Sequence, residues 1–302
     1  MLEMLKKFAN LKNPLFQFFL YLLAFAFLST FDLFISGSGQ KEIIQYGSNF
    51  AVTVVSALVV YYFVRFKLNF VTSNPFNFFI SCLIAYLLLH PTNPWWFFVI
   101  TVLSIAVGKY FVKFNNMPIF NPAALGIVLA TIITRVLFLL KLAPDYVLVS
   151  WWGTDMTQQF LTKTPLFYIV AALLLLRFMY FSHKFRKLYY MATFWIVYVA
   201  FIIVYSVLTN NQSVLTINSF AMMVFVTTGF FSFVMLTEPK TSPIFSNQQI
   251  IVGILAAVFL FANNTFFASL PIDPFLNTVL AANLMVFVFG YFRKLTSGIA
   301  EG

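Results

Sequence analysis

Two short polar runs carry most of the chemistry this chain can offer. The first is Asn115-Asn116-Met117-Pro118-Ile119-Phe120-Asn121-Pro122-Ala123-Ala124-Leu125-Gly126, and the second is Leu236-Thr237-Glu238-Pro239-Lys240-Thr241-Ser242-Pro243. Each sets prolines and hydrogen-bonding side chains into otherwise apolar sequence. A proline removes a backbone donor and disfavours helix in the residue before it. In hydrocarbon the freed carbonyls must be satisfied within protein or along a cavity. Broken helices of this kind are where membrane proteins place ligand sites, because half-helix N-termini aim N–H groups at anionic or polar ligands. Residues 120–126 therefore read as the start of a half-buried helix at a functional centre, although Pro122 in a first helical turn would also be ordinary.

Other polar residues have two readings each. Glu238 suits an ion ligand or proton carrier, or else it closes a helix end and pairs with Lys240. Lys109 suits a phosphate or a partner's carboxylate, but a lysine this near a helix end usually snorkels to the interface. Asp32 reads as interfacial, Cys82 as inert packing, and Thr227-Thr228-Gly229 as a place for close helix packing. The adjacent tryptophans Trp95-Trp96 and Trp151-Trp152 read first as lipid–water interface anchors.

The elements that must position these residues are membrane helices. The chain has 302 residues, is 62% hydrophobic and 9% charged, and has a mean hydropathy of +0.92. So few charges at this length indicate an integral membrane protein. One cysteine excludes a disulfide framework and a cysteine-ligated iron–sulfur cluster supplied by this chain alone. The net charge of +10 invites a nucleic-acid reading, but the basic residues follow membrane topology, so no nucleic-acid partner is expected.

Apolar segments predict ten spans, near residues 15–35, 47–65, 76–90, 95–113, 120–140, 165–182, 189–208, 219–236, 249–268 and 274–292. The third and eighth are short and bounded by proline. Pro91 and Pro239 are 148 residues apart, Pro94 and Pro243 are 149 apart, and Pro122 and Pro274 are 152 apart. Such offsets predict an internal repeat, with repeat one over about 15–140 and repeat two over about 165–292 of a single membrane domain. Five spans per half invert the second half, and the breaks are expected to meet near the pseudo-two-fold axis. With residues 1–14 as a cytoplasmic lead, fourteen of the 18 Lys and Arg fall on the cytoplasmic side and four do not. Both termini then face the cytoplasm, Phe181 to Lys187 lie in an inside loop, and residues 141–164 form the external loop of a multi-pass cell-membrane protein.

Pro94-Trp95-Trp96, Gly108-Lys109 and Phe120-Asn121-Pro122-Ala123-Ala124-Leu125-Gly126, followed by the run from Leu236 to Pro243, resemble the RnfD/NqrB family. These are membrane subunits of the Rnf and sodium-pumping NADH:quinone oxidoreductase complexes. The likeness runs in order from about residue 75 to 292. It implies an all-α, ten-helix inverted-repeat fold related to that of urea transporters, with flavin-mediated electron transfer coupled to movement of Na⁺ or H⁺. It also implies FMN or riboflavin as cofactor and other membrane and redox subunits as partners.

The chain departs from the family in two places. Val112-Lys113-Phe114-Asn115 replaces a glycine-rich turn, and Glu238-Pro239 replaces the usual Asp-Pro. The family often carries FMN on the threonine of an Asp-x-x-Ser/Thr-Gly-Ala-Thr motif in the outside loop. Here that loop offers Trp152-Gly153-Thr154-Asp155 without the Gly-Ala. Thr154, then Thr157, are the attachment candidates by position, and Thr154 otherwise satisfies the backbone of a turn. Arg135 is a candidate for the flavin phosphate.

The chain has no Gly-x-Gly-x-x-Gly, phosphate-cradling Gly-Lys-Ser/Thr loop, zinc spacing or Ser–His–Asp set. Reducing equivalents would therefore come from another subunit. The alternative function is a channel or facilitator for a small polar solute on the same inverted-repeat fold.

Overall fold

The computed structural model describes residues 10–35, 40–68, 74–90, 92–144, 149–151, 166–210, 227–267 and 273–299. Helix dominates throughout. In chain order the helices are α1 (Pro14–Ile35), α2 (Gln40–Tyr62), α3 (Phe76–Leu88), α4 (Trp95–Tyr110), α5 (Pro122–Leu139), α6 (Leu166–Lys184), α7 (Leu188–Leu208), α8 (Thr227–Phe230), α9 (Ser246–Phe266) and α10 (Pro274–Ile299). α2 continues as a π-helical turn over Phe63–Lys67, and α8 runs into a π-helical stretch over Phe231–Leu236. The only strands among the described residues are β1 (Lys113–Phe114) and β2 (Met117–Pro118).

Among the described residues, six helices are long and apolar enough to cross a membrane: α1, α2, α5, α7, α9 and α10. The chain is thus an all-α, multi-pass membrane protein. α3 has 13 residues and α4 has 16, or roughly 20 and 24 Å of helix against a hydrocarbon core of about 30 Å. Residues 219–226 of the eighth expected span lie outside the described residues.

The chain divides into two compact units, residues 1–111 with 122–172, and residues 112–121 with 173–302. In the first unit, α4 and α5 touch backbone to backbone. A Cβ built on Gly126 would lie 2.9 Å from Ile105 N and 3.0 Å from Ile105 Cα. Leu125 fits over Gly108 in the same contact. Glycine on one helix and its absence of side chain let the two axes approach, which in lipid is the main source of helix affinity. α3 is buried along nearly its whole length, from Phe78 to Leu88 apart from Phe79.

In the second unit α7 packs on α9. Gly253 faces the Tyr190 carbonyl, which a Cβ would meet at 2.9 Å. Gln249 ties the start of α9 to the turn before α7, donating to Arg186 O at 2.9 Å and accepting from Tyr190 N at 3.3 Å. α10 starts at the proline that pairs with Pro122 in the expected repeat. Pro274 is its first residue, and Asp273 Oδ1 accepts from the N–H groups of Phe275 and Leu276, both at 3.0 Å. An Asx cap followed by proline satisfies the orphan donors of a helix start. Pro122 is likewise the first residue of α5, directly after Asn121.

β1 and β2 pair antiparallel with Lys113 opposite Pro118 and Phe114 opposite Met117. The two residues between them, Asn115 and Asn116, both have positive φ, 50° and 62°. A two-residue loop with φ > 0 at both positions is the hairpin turn whose twist matches the strands, and asparagine tolerates it best after glycine. The turn between the strands is thus made by two asparagines.

Candidate functional site

The second unit brings Asn121, from the first polar break, to the second break. Asn121 donates through its backbone N–H to Asn283 Oδ1 at 2.6 Å and through Nδ2 to Met235 O at 3.0 Å. Asn283 in turn donates through Nδ2 to Thr241 O at 3.2 Å. Asn121 and Asn283 are each 1% exposed, so a complete set of partners is what makes these amides tolerable at depth. One asparagine on α10 thus joins the residue before α5 to the loop after α8.

The loop from Thr237 to Pro243 is held at nearly every turn. Thr237 Oγ1 donates to Phe233 O at 2.5 Å, closing the end of the π-helical stretch. Ser242 Oγ donates to Glu238 O at 2.6 Å, and Thr241 Oγ1 donates to Glu238 Oε2 at 2.5 Å. Lys187, just before α7 and 3% exposed, donates through Nζ to Pro243 O at 2.8 Å and Ser242 O at 3.2 Å. Burial lowers the Lys187 ammonium to about 8, and the charge of Glu238 works against that fall. Glu238 accordingly acts as a loop-closing acceptor under the field of Lys187.

A cavity of about 190 Å³ opens beside this loop, lined by Phe114, Asn115, Lys240, Thr241, Asn283 and Phe287 among others. The hairpin forms one wall and the second half of α10 the other. Phe114 stands edge-on to Phe287 at 5.2 Å and to Tyr291 at 6.2 Å.

The residues singled out from sequence separate as follows. Phe120, Asn121, Glu238, Pro239, Thr241 and Ser242 belong to the second unit, and Asn121, Thr241 and Ser242 are buried. Lys109, Pro122, Ala123, Gly126 and Arg135 belong to the first unit. Pro122, Ala123 and Gly126 are buried on α5, and Arg135 is half-buried further along it. Thr154 and Thr157 lie outside the described residues. Lys109 does not snorkel: it is 7% exposed and donates to Asn77 O and to Ser81 Oγ. Trp151 is 5% exposed with φ 55°, and its N–H donates to Leu88 O at 3.1 Å. It is an internal side chain, whereas Trp95, 62% exposed, keeps the character of an interface anchor.

Flavin needs free donors along its polar edge, and the described candidates fit that need poorly. The amides of Asn121, the hydroxyls of Thr241 and Ser242 and the ammonium of Lys109 all already donate within the protein. Among the described residues no group of three or more His, Cys, Asp or Glu is placed to hold a metal.

Two residues central to this arrangement escape a sequence reading. Asn283 is an amide in the apolar middle of α10, and the expense of such a residue in hydrocarbon was its only signal. Lys187 falls in a basic run that topology alone explains. No protein-family model matches this chain, and no curated protein matches it.

Proposed function

We propose that this chain is the membrane subunit of an Rnf/Nqr-like electron transport complex, coupling electron transfer to translocation of Na⁺ or H⁺ in the cell membrane. On this reading it has ten spans in two inverted repeats and both termini in the cytoplasm. The reading is supported by one observation above others. The two runs on which the resemblance rests, at Asn121 and at Thr237 to Pro243, are tied through Asn283. Unconnected breaks would have no reason to share a buried amide.

The joined breaks supply a rigid polar centre in an apolar chain, where an ion can exchange water for fixed carbonyls. Because their donors are already engaged, FMN or riboflavin is assigned to the outer loop, at Thr154 or Thr157, with Arg135 as the phosphate partner. A bound flavin would supply one-electron and two-electron transfer there. The chain's own part is to hold the loop and the breaks in place, and it depends on other redox subunits for electrons.

A channel or facilitator for a small polar solute is favoured by the size of the cavity. About 190 Å³ lies below the range of about 300–1,000 Å³ that encloses larger ligands.

Flavin content separates the two. The full chain is co-expressed with a flavin transferase and purified in detergent, and visible absorption and fluorescence of the denatured band are recorded. The redox reading expects flavin, and a fluorescent band lost in Thr154→Ala fixes the attachment point. A well-folded sample with no flavin in either measurement overturns it in favour of the solute channel.

A further inference from the structure

We propose that a crevice between α1, α2 and α3 is a binding site for one fatty acyl chain of a bilayer phospholipid. The site needs only that α1 and α2 cross the membrane, and it is independent of the redox and channel readings.

Residue spacing builds the crevice inside the first unit. Phe19 and Leu23 lie four apart on α1, Val54 and Leu58 on α2, and Phe79 and Leu83 on α3, so each helix turns one face to the same space. Small side chains keep that space open. Thr53 and Ala57 of α2 and Cys82 of α3 line it where larger residues would close it. The result is a cavity of about 240 Å³. Its floor is buried, with Cys82 2% and Leu83 4% exposed, and its lip is Val54, 37% exposed. Ring contacts close the two ends. Phe19 meets Phe76 at 5.1 Å, and further along α1 Phe27 meets Phe50 at 6.3 Å.

The walls select an apolar occupant. Of the lining side chains only Thr53 and Cys82 carry a polar atom. The Thr53 hydroxyl already donates to Asn49 O at 2.8 Å, and a thiol is a weak donor. A headgroup or a water molecule would find no partner here. The lip residue Val54 adjoins Val55, 59% exposed, on a helix long and apolar enough to cross a membrane. The medium at the mouth is therefore lipid hydrocarbon.

Size narrows the occupant to a chain. An apolar cavity of about 150 Å³ takes benzene, so this one takes a longer hydrocarbon. Roughly 12 Å of helix separates Phe19 from Phe27. One lipid chain covers half of the hydrocarbon core, or roughly 15 Å. An acyl chain laid along the crevice fills the gap that the small residues leave and packs α1 against α2 across it.

The test uses the purified full chain in liposomes of phosphatidylcholine whose acyl chains carry a diazirine near the methyl end. After irradiation, adducts are mapped by mass spectrometry of the peptides. Lipid at the protein surface should label Val59, 61% exposed, and serves as the control. Only a chain inside the crevice can label Cys82 or Leu83. Ala57→Leu and Cys82→Leu fill the crevice from α2 and from α3. In both, labelling of Leu83 should be lost while that of Val59 persists. Added phosphatidylcholine should raise the melting temperature of the wild type in detergent and leave both filled variants unmoved. Native mass spectrometry of the wild type should show a retained phospholipid. Labelled Val59 with unlabelled Cys82 and Leu83 in the wild type would overturn the proposal, whether or not the variants fold. Leu83 labelling that persists in both filled variants would do the same, as would a retained apolar molecule without an acyl chain.

Discussion

The backbone N–H of Asn121 donates to the side-chain oxygen of Asn283 at 2.6 Å, across 162 residues of sequence. The same side chain donates to Thr241 O, so one amide satisfies a donor before α5 and a carbonyl in the loop after α8. Interhelical hydrogen bonds in membranes average only about 0.6 kcal/mol. The larger effect comes from stranding buried partners, at about 1–3 kcal/mol for each group left unsatisfied.

Asn283→Leu keeps the volume of the side chain and removes both bonds. It should destabilise the protein by about 2–4 kcal/mol, since it strands the Asn121 N–H and the Thr241 carbonyl together. Asn121→Ala should lose less, because its backbone N–H keeps Asn283. The double variant should fall short of the sum of the two. Thermal unfolding in detergent of the two single variants and the double variant checks all three statements.

Lys187 gives the second break a pH dependence. Its folded value of about 8 lies below the ordinary 10.5, with burial as the larger cause and Glu238 opposing it. Below about 8 both folded and unfolded chains hold the proton, and the folded state bears the full penalty of a buried ammonium. Between about 8 and 10.5 the folded state loses its proton first, so the unfolded state binds more protons and stability rises with pH. Lys187→Met should lie below wild type, because the carbonyls of Ser242 and Pro243 lose their donor. It should also lack this contribution, so the gap in melting temperature should widen from pH 8 to pH 10. A constant gap would mean that the folded chain holds the Lys187 proton as firmly as the unfolded chain does.

Much of this arrangement is legible in sequence, and for identifiable reasons. Apolar runs bounded by proline place the helices, because proline at a first helical position leaves a physical mark at Pro122 and Pro274. The short third helix and the polar loop from Thr237 to Pro243 follow from the same punctuation. What escapes is set by tertiary partners. Lys109 looks like an interfacial lysine until Asn77 and Ser81 supply its acceptors. Trp151 looks like an interface anchor, yet its backbone is pinned to Leu88 and its ring is internal. The hairpin from Lys113 to Pro118 has strands of two residues each, too short for any alternation of apolar and polar positions. Its one sequence mark is the Asn-Asn pair.

That pair carries its own prediction. Asn115 and Asn116 hold φ of 50° and 62°, a conformation that costs most side chains about 1–2 kcal/mol per residue. Asn116→Gly should leave stability unchanged or slightly higher. Asn115→Val, β-branched in a left-handed position, should lose about 1–2 kcal/mol and loosen the hairpin wall. Hydrogen exchange of the Ile119 N–H, which donates to Val112 O at 3.2 Å, reports that wall directly. Faster exchange in the valine variant and wild-type exchange in the glycine variant are the expected pair of results.

The two glycines Gly126 and Gly290 should respond in opposite directions to the same change. At Gly126 an added methyl meets Ile105 Cγ1 at 2.4 Å and the Ile105 backbone at 2.9 Å. The side chain of Ile105 can rotate away, but its backbone nitrogen cannot. Gly126→Ala therefore has to push α4 from α5, at a cost of about 1–3 kcal/mol for overpacking. At Gly290 the methyl meets nothing within 4 Å, so alanine contributes only its better helix propensity, about 1 kcal/mol of stabilisation. Melting temperatures measured side by side in one detergent should therefore fall for Gly126→Ala and hold or rise for Gly290→Ala. A loss at both positions would show that α10 is crowded where the structure leaves it open, and equal tolerance at both would mean that α4 and α5 are not in backbone contact.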